Sequence, residues 1–231
     1  MPEGFQRRLF PRYPLQLPLQ EKLRVVGAAG VGVGWTRDVS EAGACVELPE
    51  FLRPQLPLQV RLHTARGPIE TEAQVVWGAA VQAVWAGEPG PISGGVLHGL
   101  AFTQMSPTHV QALRTVLHSR AAEGPARVRL PLQVAATCEP EAQAGPPLPG
   151  VTEEISREEL SLRLPHPLPP GTSVRITLQT PHGPLTVQGT VVQVEPPERQ
   201  RPGEWIRHAV RFTPLDWHAS LYLGLILTAR S

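Results

Sequence analysis

A chain of 231 residues holds one large domain or two of ordinary size. Its 21 Lys and Arg against 20 Asp and Glu leave a net charge of +1, which excludes a global field drawing in nucleic-acid polymers or anionic membranes. Lys22 is the only lysine, and 21 Gly and 27 Pro in a chain with strand-like alternation point to many short strands joined by turns.

Met1 to Gln20 carries arginines and prolines where a leader's apolar core would lie. The longest apolar run, Leu221 to Leu227, falls short of the roughly 20 residues a membrane span needs. The expectation is a cytoplasmic protein with no membrane span. Cys45 and Cys138 are far apart, and eight His show no metal-ligand spacing, so both cysteines read as reduced, buried thiols and no metal or cofactor site is expected.

In chain order, Arg12 to Gln20 is an extended, Pro-punctuated strand. Gly27 to Gly34 is glycine-rich, but strand and turn residues follow where a dinucleotide loop requires a helix. Ala44 to Leu48 is a strand, Pro49 to Pro57 a turn region, and Leu58 to His63 a strand turned back at 65–68. Ile69 to Val84 reads as one long strand with Val75, Trp77 and Val81 on one face. Ala86 to Gly95 is a loop and Val96 to Phe102 a strand. Ser106 and Pro107 then open a helix as N-cap and first helical residue.

The second half replays this order. Arg129 to Gln133 echoes Arg12 to Gln16, Glu154 to Leu160 echoes Asp38 to Ala44, and Thr180 to Leu185 echoes Thr64 to Ile69. Val191 and Val192 echo Val75 and Val76, His208 to Phe212 echoes His98 to Phe102, and Thr213-Pro214 is expected to cap a closing helix as Ser106-Pro107 does. Such recurrence at nearly constant offset predicts two domains, 1–122 and 123–231. The fold class that follows is mainly β, with two tandem small antiparallel barrels, each followed by a helix. The closing helix is apolar almost all round and is expected to be buried within its domain.

Two stretches carry recognisable chemistry. Arg7, Arg8 and Arg12 place three guanidinium groups on a segment that Pro11 keeps from forming a regular helix. Asp38, Ser40 and Gly43 sit in a polar turn between two apolar runs. Arg8 to Arg12 fits R-x-x-x-R and Asp38 to Gly43 fits D-x-S-x-x-G. With the frame around them (an aliphatic strand after Gly43, a Val-Val-Trp strand, then His98 to Phe102 before a helix), residues 7 to about 118 resemble a PilZ domain. The remainder resembles a weaker second copy.

The resemblance implies a bacterial receptor for cyclic di-GMP, with Arg7, Arg8, Arg12, Asp38, Ser40 and Gly43 as ligand-binding residues. Arginine's planar fork suits both phosphate and the guanine O6/N7 edge, a carboxylate accepts from guanine N–H donors, and Ser is an adaptable partner. In that family an extra Arg before the motif, here Arg7, goes with a stacked pair of ligands; Trp77 is a possible neighbour of the site. The second copy departs from the pattern: Pro125 replaces the first Arg, Glu154 the Asp and Glu159 the Gly, while Arg129 and Ser156 remain. No cyclic di-GMP is expected there. An unidentified protein partner would read the ligand-induced change. The alternative is a PilZ-like structural adaptor without ligand, in motility or polysaccharide machinery. No catalytic motif is present, and an enzyme is not expected.

Overall fold

The computed structural model describes residues 10–23, 31–80, 95–123, 129–141, 145–196, 198 and 203–229. The first half contains β1 (Tyr13–Pro14), β2 (Pro18–Leu23), β3 (Val31–Ser40), β4 (Gly43–Leu48), β5 (Pro57–Thr64), β6 (Gly67–Ala80), β7 (Val96–Gln104) and helix α1 (Pro107–Glu123). Strand order is β3-β2-β5-β6-β7-β4, and pairing of β3 with β4 closes a six-stranded antiparallel barrel. The short β1 lies alongside the C-terminal end of β3.

The second half contains β8 (Leu130–Pro131), β9 (Ala135–Pro140), β10 (Leu148–Ile155), β11 (Glu159–Leu164), β12 (Ser173–Thr180), β13 (Gly183–Val194), β14 (Ile206–Phe212) and α2 (Trp217–Thr228). The order β10-β9-β12-β13-β14-β11, closed by β10 with β11, is the same ring, and β8 flanks β10 as β1 flanks β3. Period-two alternation fills both interiors. Leu58, Val60 and Leu62 of β5 and Val174, Ile176 and Leu178 of β12 are fully buried and alternate with exposed or half-buried residues, except that His63, after Leu62, is buried as well.

The duplication extends to single hydrogen bonds. Leu17 N–H donates to Thr36 Oγ1 at 2.8 Å and Val134 N–H to Thr152 Oγ1 at 3.0 Å, and each hydroxyl donates onward to Leu15 O or Leu132 O. His98 Nε2 accepts from Leu52 N–H at 2.9 Å, and His208 Nε2 from Leu168 N–H at 3.0 Å. In the turns 64–67 and 180–183, Thr64 and Thr180 hydroxyls donate to the carbonyls of Gly67 and Gly183, at 2.7 and 2.6 Å. Those glycines have φ of +112° and +114°, a region other residues enter only at a cost. His98, His208 and these four threonines are therefore pins of the two barrels.

Two expectations need correction. Val75 and Trp77 do not share a face: a β-bulge at Val76 resets the alternation, leaving Val75 buried and Trp77 41% exposed, while Val81 lies outside the described residues. Thr213-Pro214 does not cap the closing helix. Asp216 does, accepting from Ala219 N–H at 2.7 Å with extended backbone, and the helix starts at Trp217. Ser106 caps α1 as expected, accepting from His109 N–H at 3.2 Å. Helix α2 buries Trp217, Leu223, Ile226 and Leu227 and leaves Leu225 38% exposed. No described helix is long and apolar enough to cross a membrane.

Candidate functional site

The turn between β3 and β4 is built by its own sequence. Ser40 is buried, and its hydroxyl donates to Gly43 O at 3.1 Å, closing the hairpin. A Cβ on Gly43 would lie 2.1 Å from the Leu100 carbonyl oxygen, so glycine is demanded there by the approach of β7. Ser156 makes the same bond to Glu159 O at 3.2 Å, in a copy where the flanking motif residues differ. The Ser of the D-x-S-x-x-G pattern thus shapes the turn.

Asp38 follows a bulge at Arg37 and faces outward, opposite Pro14 of β1 and Cys45 of β4. Because β1 pairs with the end of β3, the chain just before it passes over the same surface. Arg12 Nη1 accordingly donates to Asp38 Oδ1 at 2.6 Å, both side chains about one-third exposed. The halves of the two motifs meet in the folded chain. Arg7 and Arg8 lie outside the described residues.

A transverse row of paired residues runs from this ion pair across the barrel: Asp38, Cys45, Gly99 and Trp77, on β3, β4, β7 and β6. The indole of Trp77 lies against Gly99, where a Cβ would come within 2.1 Å of Nε1. A strip of small residues therefore separates a charged pair from a half-exposed aromatic face. The Cys45 thiol is held in its neutral form by burial, reinforced by the Asp38 charge. Helix α1 reaches the motif turn as well: Arg114 Nε donates to Glu41 Oε2 at 2.8 Å. Sequence reading missed this tether and the row, because the first depends on where helix α1 lies and the second on strand register, neither of which is spacing along the chain. Among the described residues no group of three or more His, Cys, Asp or Glu could hold a metal ion.

The family model for the PilZ domain matches residues 6–119 and again 125–224. The chain belongs to the PilZ family. No curated protein matches it. Solved structures similar to it include the PilZ domain with c-di-GMP of YcgR from Escherichia coli, 18% identical, covering 51% of this chain and 94% of that one with a TM-score of 0.41. The Bacillus subtilis inhibitor of motility MotI/DgrA is 9% identical, covering 94% and 96% with a TM-score of 0.36. The MrkH–c-di-GMP complex of K. pneumonia is 13% identical, covering 93% and 89% with a TM-score of 0.35.

The second PilZ copy arranges its charges differently. Glu154, in the place of Asp38, accepts from Arg207 Nη2 at 3.1 Å, and Arg129, in the place of Arg12, turns to Glu159 at 2.6 Å. The corresponding row is Glu154, Ser161, Ala209 and Gln193, with no aromatic residue at its end.

Proposed function

We propose that the first PilZ barrel is a receptor for cyclic di-GMP, contacted by Arg7, Arg8 and Arg12 of the N-terminal segment and by Asp38, with Ser40 and Gly43 forming the turn against which the ligand rests. The observation that carries this reading is the meeting of Arg12 and Asp38, 26 residues apart in the chain and 2.6 Å apart on the barrel surface. One group is suited to phosphate or the guanine Hoogsteen edge and the other to guanine N–H donors. Trp77, across Cys45 and Gly99, offers a flat face within the same row.

The ligand acts as a latch in this reading. Fixing a backbone residue costs about 1–2 kcal/mol, so only a multidentate ligand offsets the ordering of an arm. Cyclic di-GMP bridges the arginines to Asp38 and places Leu9 and Phe10 against new surroundings, a surface change for a protein partner to read. Arg7 would add a second, stacked nucleotide. Domain bounds of 1–122 and 123–231, a cytoplasmic location and an effector rather than catalytic role complete the proposal, with no cyclic di-GMP in the second copy.

Isothermal titration with cyclic di-GMP, with GTP and cyclic di-AMP as controls, tests it. Saturable heat with cyclic di-GMP alone supports the receptor, at two nucleotides per chain if Arg7 stacks a pair and falling toward one in Arg7→Leu. No heat with any of the three leaves the ligand-free adaptor in motility or polysaccharide machinery as the reading.

A further inference from the structure

Glu159 opens β11 opposite Arg211 of β14. Its side chain is only 7% exposed, and both of its oxygens receive charged donors: Arg129 Nη2 gives to Oε2 at 2.6 Å and Arg211 Nε to Oε1 at 3.3 Å. The Ser156 hydroxyl accepts from Glu159 N–H at 3.0 Å, and Ser156 N–H donates to Glu159 O at 2.8 Å, so the backbone under the carboxylate is fixed by the turn. By position in the repeat, Glu159 stands for Gly43, Arg129 for Arg12 and Arg211 for Ala101. A hollow of about 180 Å³ adjoins this cluster, lined among others by Arg129, Ser161, Arg207 and Ala209.

Two guanidinium groups converging on two oxygens of one anion is the arrangement a phosphate or other oxyanion would receive. We propose that the second barrel keeps an oxyanion site whose resident anion is the chain's own Glu159 carboxylate. An external phosphate is shut out because its place is filled and because the entering charge would meet a buried negative one. Glu159 is thus the residue that sets the specificity of the second barrel, and a short side chain at 159 uncovers a site for a tetrahedral oxyanion. The proposal rests on the second barrel alone, so it stands or falls apart from the nucleotide reading of the first.

The test uses the full chain carrying Glu159→Ala or Glu159→Gln, with thermal midpoints read against inorganic phosphate and against chloride at matched ionic strength. Both variants should melt below the parent, since two arginines lose their carboxylate. Phosphate should raise the midpoint of Glu159→Ala by about 2–4 °C, while the parent and Glu159→Gln, still filled at that place, stay unmoved. Equal phosphate response in parent and Glu159→Ala, no response in either, or a Glu159→Ala chain as stable as the parent would overturn the proposal. Should Glu159→Ala not fold, the double variant Arg129→Gln/Arg211→Gln decides. It leaves a buried carboxylate without these cations, which favours the neutral acid. Its stability deficit against the parent should therefore shrink as pH falls from about 7 toward 4, and a deficit independent of pH would contradict the assignment.

Discussion

Arg12 and Asp38 are each about one-third exposed, and an ion pair that wet is worth only about 0–1 kcal/mol. A charge-assisted hydrogen bond to phosphate contributes about 1.5–3 kcal/mol, so in the proposed complex a phosphate would displace the carboxylate from Arg12 and leave Asp38 available to a guanine edge. Arg12→Ala should therefore weaken cyclic di-GMP binding by at least about ten- to hundredfold, with the melting temperature nearly unchanged. Titration and a thermal melt on the same sample check both halves. Two other residues bear on the fold instead. His98 and His208 accept main-chain N–H bonds at Nε2, which requires the proton on Nδ1, placed to donate to Val96 O and Ile206 O. Burial lowers the pKa of both, and burial together with Arg61 lowers that of His63 to about 4. A histidine whose folded pKa lies below its unfolded one supports the fold fully above about 6.5 and loses that support as pH falls. Stability should thus decline from about pH 6.5 toward 4. His208→Ala, which orphans Leu168 N–H, should cost about 1–3 kcal/mol in denaturant titration and flatten part of that pH dependence.

Among the elements, the turn ahead of β5 and its counterpart ahead of β12 differ in one residue that matters. Gln55 has φ of +68° where Gly171 has +90°, and the two make the same bonds, Gln55 N–H to Val75 O and Gly171 N–H to Val191 O. The left-handed conformation penalises Gln, so Gln55→Gly should stabilise the chain by about 0.5–1 kcal/mol, read as a rise in denaturation midpoint. Asp216→Ala should cost about 1 kcal/mol by leaving the first turn of α2 uncapped. The elements were legible where periodicity was clean, as in β5 and β12. Trp77 was misplaced because nothing in Val75-Val76-Trp77 announces a bulge; the extra residue is absorbed by register with β7. The cap at Asp216 was misjudged because Thr213-Pro214 imitates Ser106-Pro107, yet Asp216 keeps the spacing to Ser106 that His208 keeps to His98. Register within the repeat was the better guide.

At the scale of the molecule, duplication was readable because turn glycines, buried histidines and bulges must all recur for the same six-stranded ring to close twice. The site was legible only in part. The pairing of Arg12 with Asp38 follows from β1 lying against β3, which no spacing in the chain encodes. The transverse row ending at Trp77 depends on four strands in register. The two proposals therefore predict different responses to one ligand: in the first barrel a surface that cyclic di-GMP would bridge, and in the second an anion place taken by Glu159, which Arg129 and Arg211 hold. Backbone hydrogen exchange with and without cyclic di-GMP reads both barrels in one measurement. Protection should rise at residues 5–14 and 38–43 and hardly change at 154–159. Equal protection of 5–14 and 38–43 in both states, or a rise at 154–159 matching theirs, would contradict the account.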